Sequence, residues 1–143
     1  EQLLEKYQDK IDWNELSENR KILWTIPMLQ KFKHRINWDK LSRYADEKVL
    51  TENCIETFKE KWNWNELSSN CCITNELLEK FVDKWDWETV IDDYRSNLFS
   101  NVSAIEFYER YKEYIPAAKL QRSSLWNEIV EQRKKQIISE ITA

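Results

Sequence analysis

Glycine is absent from this 143-residue chain, and proline occurs only at Pro27 and Pro116. Average usage, at roughly 7%, would supply about ten glycines. Because the tight turns of β-sandwiches and β-barrels depend on these two residue types, their scarcity excludes turn-rich all-β folds. The dinucleotide fingerprint, the Walker phosphate loop and the kinase glycine-rich loop also need glycine where the backbone approaches phosphate. The sequence therefore predicts an almost wholly helical protein without nucleotide sites of these kinds.

Residues that carry metal or nucleophilic chemistry are also few. The single histidine, His34, excludes a histidine-rich metal site and disfavours a hydrolytic triad. Cys54, Cys71 and Cys72 show no Cys-x-x-Cys spacing, and adjacent cysteines rarely bridge each other because the geometry is strained. We expect reduced thiols, with Cys54 packed as a small apolar residue and Cys71 open to oxidation. No nucleophile, base and oxyanion donor can be named together, so we predict no enzyme, no metal and no cofactor.

Charge is nearly balanced, with 22 Lys and Arg against 26 Asp and Glu and a net charge of -4. This balance disfavours broad attraction to nucleic acid or to an anionic membrane. The chain has no run of about 18 apolar residues and no signal-peptide pattern at its N-terminus. We therefore predict a cytoplasmic protein that does not bind membranes.

An internal repeat organises the chain. Trp13, Trp38, Trp64 and Trp87 recur at spacings of 25, 26 and 23 residues, and Tyr114 is a weaker fifth member 27 residues further on. A period near 25 indicates tandem structural units. The expected repeats lie near 3-24, 25-50, 51-73, 74-99 and 100-122, and a longer helix over 123-143 is expected to cap the C-terminal end.

Each repeat is predicted to contain two helices. In the second repeat Leu29, Phe32 and Ile36 form an apolar stripe ahead of Trp38, which predicts a first helix of about three turns. A hydroxyl residue that can cap its N-terminus recurs at Thr25, Thr51, Thr74 and Ser100. A second, short helix is expected to begin at each tryptophan, with its N-cap at Asp12, Asn37, Asn63 or Asp86.

Such small units cannot bury their apolar stripes alone, so successive repeats must stack and share a core. The predicted fold is all-α: a short α-solenoid of two-helix repeats in one domain, with the tryptophan rings packed between successive repeats. Because Leu3 already belongs to a first-helix stripe, we expect a fragment of a longer protein with further repeats upstream.

The repeat pattern resembles the α-helical tandem-repeat proteins, or α-solenoids, a class that includes tetratricopeptide, HEAT and prenyltransferase-type repeats. The resemblance is to the class, because the period is shorter than the tetratricopeptide length of about 34 residues. It implies a concave surface for a protein partner and hence a non-catalytic interaction scaffold.

Six exposed positions of the predicted first helices vary between repeats while the apolar columns stay fixed, which is the pattern expected of a partner-binding surface. These positions are Lys33, His34, Lys59, Glu60, Val82 and Asp83.

Two alternatives to a protein-binding scaffold stay open. A basic residue stands three positions before each tryptophan, at Lys10, Arg35, Lys61 and Lys84, a set we call the basic ladder. The ladder could serve a nucleic-acid-binding solenoid, or it could only complement the C-terminal ends of the first helices. The third possibility is a purely structural spacer within a multidomain protein.

Overall fold

A computed structural model describes residues 1–94 and 102–143, and over these residues the chain forms eleven α-helices and no strand. The helices are α1 (Gln2–Tyr7), α2 (Trp13–Glu18), α3 (Ile26–Phe32), α4 (Trp38–Tyr44), α5 (Glu52–Thr57), α6 (Trp64–Ser68), α7 (Asn75–Lys80), α8 (Trp87–Asp92), α9 (Ala104–Tyr111), α10 (Ala117–Leu120) and α11 (Ser124–Thr142). First and second helices alternate from α1 to α10, which confirms the all-α repeat architecture.

The chain divides into two compact units, Glu1–Ile73 and Thr74–Ala143. The first unit contains the first three repeats, α1 to α6. The second unit contains α7 to α10 and the long helix α11.

Each predicted N-cap residue that the structure describes caps the N-terminus of its helix. Thr25 Oγ1 accepts from the Met28 amide at 3.4 Å, and Asp12 Oδ1 accepts from the Asn14 amide at 2.9 Å. Ser100, the expected cap of the last first helix, lies outside the described residues. Helix α9 is capped by Ser103, whose hydroxyl accepts from the Glu106 amide at 3.1 Å while the Glu106 carboxylate accepts from the Ser103 amide at 3.0 Å.

The first helices are shorter than the three turns that the apolar stripe predicts, and in this respect the prediction is wrong. They have six to eight residues, and α3 ends at Phe32. A hydrogen-bonded turn follows, in which the Arg35 and Ile36 amides both donate to the Phe32 carbonyl, at 2.8 and 3.1 Å. The helix stops because the next N-cap, Asn37, takes an extended conformation. The turn still buries Ile36, so it preserves the apolar period.

The fifth repeat is in a different register from the one the sequence suggests. Tyr111 occupies the position in the fifth repeat that Phe32 has in the second. The Tyr114 and Ile115 amides donate to its carbonyl at 2.9 and 3.2 Å. Tyr111 is 2% exposed and Tyr114 is 43% exposed. The second helix α10 begins at Ala117, so alanine stands in the tryptophan column and Tyr114 was assigned to it wrongly.

Within the first unit the second helices stack in order, α2 against α4 and α4 against α6. A serine in α2 and a serine in α4 link these helices to the next repeat. The Ser17 hydroxyl donates to the Trp13 carbonyl at 2.6 Å and accepts from the Asn37 amide at 3.0 Å. The Ser42 hydroxyl accepts from the Asn63 amide at 3.0 Å. Both serines are buried, so these bonds satisfy polar groups that would otherwise be costly to bury.

The second unit has an aromatic core. The Trp87 ring lies 4.8 Å from the Tyr111 ring, and the Phe107 ring lies 4.9 Å from Tyr111 and 5.1 Å from Tyr94, measured between centroids. Helix α11 packs against α9 and α8, and Leu125 near its start is fully buried. The part of α11 from Arg133 onward is exposed, including the large apolar side chains Ile137, Ile138 and Ile141.

Candidate interaction surface

The tryptophan column ties the two helices of each repeat together through the indole N–H. In four repeats this group donates to the backbone carbonyl five residues earlier, in the turn or segment that follows the first helix. The four bonds are Trp13 Nε1 to Gln8 O at 2.9 Å, Trp38 Nε1 to Lys33 O at 2.9 Å, Trp64 Nε1 to Lys59 O at 3.1 Å and Trp87 Nε1 to Val82 O at 2.8 Å. These carbonyls come from the helix end, where no intrahelical donor is available to them.

The tryptophan rings also pack across repeats. In the first unit the Trp13 ring lies 5.3 Å from Phe32 of the following repeat, and the Trp38 ring lies 5.4 Å from Phe58 and 5.1 Å from Trp62. All three distances are typical of stabilising aromatic pairs. The column therefore has a packing role in the fold, as the sequence indicates.

The six predicted partner-binding residues were expected on the first helices. They lie instead in the turns that follow these helices. Lys33 and His34 follow α3, Lys59 and Glu60 follow the end of α5, and Val82 with Asp83 follows α7. These residues lie in turns because the first helices end early. The extended N-cap of the second helix requires a turn before it. Within each pair the first residue is half-buried and the second is exposed.

A groove in the first unit brings several of these turn residues together. Its volume is about 440 Å³, and it runs between the end of α3 and the turn after α5. It includes Lys33, Lys59 and Glu60 of the predicted set and Lys61 of the basic ladder. His34 is not among its lining residues, and Val82 and Asp83 belong to the second unit.

The groove carries charge of both signs. Three lysines and two glutamates line it, together with Gln30 and Thr57. The Lys59 ammonium donates to the Glu56 carboxylate at 3.2 Å. Phe58 contributes little apolar surface because its side chain is only 4% exposed. The groove therefore offers a ligand hydrogen-bonding groups and charges of both signs.

The four residues of the basic ladder have the same backbone position in their repeats, but their side chains have different surroundings. Each of its four amides donates to the carbonyl three residues earlier, as Lys61 does to Phe58 at 2.7 Å. The Arg35 guanidinium donates to the Asp9 carboxylate of the preceding repeat at 2.8 Å. This ion pair interrupts the positive charge of the ladder within the first unit.

Sequence reasoning missed a series of ion pairs between adjacent repeats. The signal was present as opposite charges separated by roughly one repeat period, but which charges meet depends on how the repeats stack. In the first unit the pairs are Lys31–Glu5, Arg35–Asp9, Lys40–Glu18 at 2.8 Å and Arg43–Glu66 at 2.9 Å; in the second unit they are Arg110–Glu79 at 2.8 Å and Lys119–Glu88 at 2.7 Å. Their side chains are largely exposed, so each pair contributes little to stability.

All three cysteines carry free thiols. Cys54 is buried in α5, and burial raises its pKa to about 11. Cys71 and Cys72 are half-buried in the turn after α6. Over residues 1–94 and 102–143 no group of three or more His, Cys, Asp or Glu side chains could hold a metal ion, and no helix there is long and apolar enough to cross a membrane.

Comparison of the chain with known protein families, with curated proteins and with solved structures gives no match.

Proposed function

We propose that this chain is a non-catalytic helical-repeat scaffold that binds a protein partner, and that the groove between α3 and the turn after α5 holds an acidic peptide segment of that partner. The observation that carries the proposal is the groove itself. It joins turn residues of two consecutive repeats within one compact unit.

The bonding of the turns supports a recognition role for their side chains. The fold uses the backbone of these residues, since the Lys33 and Lys59 carbonyls accept the indole N–H bonds and the Arg35 and Lys61 amides close the turns. Substitution of a side chain therefore leaves these backbone bonds intact. A surface of this kind can change its chemistry from repeat to repeat without loss of the fold.

The charges that line the groove support an acidic ligand. Lys33 and Lys61 stand at the two turns, while Lys59 is partly neutralised by Glu56. A carboxylate between Lys33 and Lys61 would gain a charge-assisted hydrogen bond from either ammonium. Binding through such exposed charges should weaken as salt concentration rises.

A binding assay with short acidic peptides tests this proposal. Peptides rich in Asp and Glu are titrated by fluorescence polarisation against the wild type, Lys61→Glu and a control of equal charge, Lys135→Glu on the exposed part of α11. Reversal turns an attraction of about 0.5–1 kcal/mol into a repulsion of similar size, so Lys61→Glu should weaken binding about tenfold. The control should bind like the wild type. Equal affinity for all three proteins would contradict the proposal.

The nucleic-acid alternative rests on the basic ladder, and the pairing of Arg35 with Asp9 counts against it. Titration with labelled RNA and DNA at low salt distinguishes it, because phosphate-dominated binding is strongest there. The spacer alternative predicts no ligand in either assay.

We also propose a cytoplasmic location, supported by the three free thiols.

A further inference from the structure

Two adjacent cysteines meet two oppositely charged side chains in the first unit. The Arg20 guanidinium donates to the Cys71 sulfur at 3.5 Å, and the Cys72 thiol lies 3.8 Å from Glu47 Oε2. The two sulfur atoms are 3.7 Å apart. Both cysteines are half-buried and neither is in a disulfide, so a small reagent can reach their sulfur atoms.

Stacking of the repeats brings these four residues together. Arg20 follows α2, Glu47 follows α4, and the cysteines follow α6, so the cluster joins the equivalent connections of three consecutive repeats. Asn70 fixes the last connection. Its buried side-chain amide donates to the Ser42 and Ala45 carbonyls, both at 2.9 Å, and its oxygen accepts from the Cys72 amide at 2.8 Å.

The charges around the pair make the two thiols unequal. Burial alone would raise the pKa of Cys71, but the hydrogen bonds from Arg20 and Cys72 outweigh it, and the pKa of Cys71 is lowered. Burial, the hydrogen bond with Cys71 and the charge of Glu47 raise the pKa of Cys72 to about 11. The hydrogen bond to Cys71 and its charge raise the pKa of Arg20, and the charges of Cys72 and Asp46 raise it further.

We propose that Cys71 is a modification site for small disulfides of the glutathione class. The Arg20-paired thiolate attacks one sulfur of the disulfide, the sulfur–sulfur bond of the reagent breaks, and a new bond forms between Cys71 Sγ and the attacked sulfur. The second half of the reagent leaves as a thiolate and takes a proton from water. One disulfide is consumed and one is formed, so no other oxidant is needed. Cys72 keeps its proton and serves as the hydrogen-bond donor beside the attacking sulfur.

Cys71 is expected to react before Cys72 because the pKa values of the two thiols differ. The pKa of Cys71 is lowered and the pKa of Cys72 is raised to about 11, so near neutral pH the thiolate fraction of Cys71 exceeds that of Cys72. Nucleophilicity falls as the pKa falls, with a Brønsted slope of about 0.5, which cancels about half of this advantage on a logarithmic scale. Cys71 should therefore react faster than Cys72 and carry the first adduct. Cys54, buried in α5, should be slower still.

The test treats the full chain with oxidised glutathione at neutral pH and follows intact mass and peptide maps. We expect a first adduct on Cys71, none on the same peptide of Cys71→Ser, and retention of the adduct in Cys72→Ser. A first adduct on Cys72 or Cys54 would overturn the proposal.

A second measurement does not depend on the folding of a cysteine variant. The rate of alkylation of Cys71 by iodoacetamide is measured against pH in the wild type, in Arg20→Gln and in a control, Arg133→Gln on α11. Arg20→Gln should move the midpoint of the Cys71 profile to higher pH, and Arg133→Gln should not. An unchanged midpoint in Arg20→Gln would show that the guanidinium does not activate this thiol.

Discussion

Replacement of Trp38 by phenylalanine probes the bond that closes each repeat. The indole N–H of Trp38 donates to the Lys33 carbonyl at 2.9 Å, and its ring packs against Phe58 and Trp62 of the next repeat. Trp38→Phe retains an aromatic ring but removes the donor. It therefore weakens both the link within the second repeat and its contact with the third.

The expected loss of stability is the sum of three contributions. The lost hydrogen bond accounts for about 1 kcal/mol. The smaller ring forfeits roughly 40 Å² of buried apolar surface, or about 1 kcal/mol. Weaker aromatic contacts with Phe58 and Trp62 add about 0.5 kcal/mol. Trp38→Phe should lower the free energy of unfolding by about 2–3 kcal/mol, a large share of the stability of an ordinary domain.

Urea unfolding followed by circular dichroism measures this loss. The matched control is Trp126→Phe, since Trp126 is half-buried in α11 and no indole bond to a helix-end carbonyl is described for it. The control should cost about 1 kcal/mol or less, because only ring surface is lost. If Trp38→Phe were no more destabilising than Trp126→Phe, the indole bond could not be what holds the repeat together.

Three other predictions concern Asn70, two lysines of the groove and the buried Cys54. Asn70→Ala should lower the free energy of unfolding by about 2–4 kcal/mol in the same urea assay, because two buried carbonyls lose their donor; a loss under about 0.5 kcal/mol would contradict the anchoring role. Lys33→Glu and Lys61→Glu should each leave the melting temperature within about 2 °C of the wild type, since surface substitutions are usually within about 0.5 kcal/mol; a larger fall would give these side chains a structural role. Cys54 should resist iodoacetamide at pH 8 in the folded protein and react once urea unfolds it, and fast labelling without urea would show that α5 does not bury it.

The repeat and its caps could be predicted from sequence because their chemistry is local. Thr25 and Asp12 sit a fixed number of residues before the amides that they accept from, so spacing alone identifies them. The length of the first helix could not be predicted from the apolar stripe. The turn that closes on Phe32 keeps nearly the helical period, and Ile36 is buried whether it lies on a helix or on a turn.

The register of the fifth repeat could not be predicted from residue types. Ala117 stands where the other repeats have tryptophan, and Tyr114 offered a closer chemical match three residues away. The hydrogen bonds of the turn, the burial of Tyr111 and the start of α10 at Ala117 show that Tyr111 corresponds to Phe32. Alignment by side-chain similarity fails when the defining residue is replaced and the helix before it is one residue longer than α3.

Three residues that line the groove could be nominated from sequence, but the groove itself could not. Variation between repeats pointed to Lys33, Lys59 and Glu60, yet the groove exists only because two turns from consecutive repeats are placed side by side. The cluster around Cys71 could not be predicted either, because it joins connections from three consecutive repeats. Contacts between repeats depend on the stacking geometry, which a single sequence does not specify.

Amide hydrogen exchange by NMR tests the stacking of the repeats most directly. The Asn37 and Asn63 amides donate to Ser17 and Ser42 of the preceding repeat, so both should be protected in the native protein. Ser42→Ala should speed exchange at Asn63 by at least about fivefold, equivalent to about 1 kcal/mol, and leave Asn37 unchanged. Unprotected exchange at both amides in the wild type, or equal acceleration of both in Ser42→Ala, would contradict a stack held together repeat by repeat.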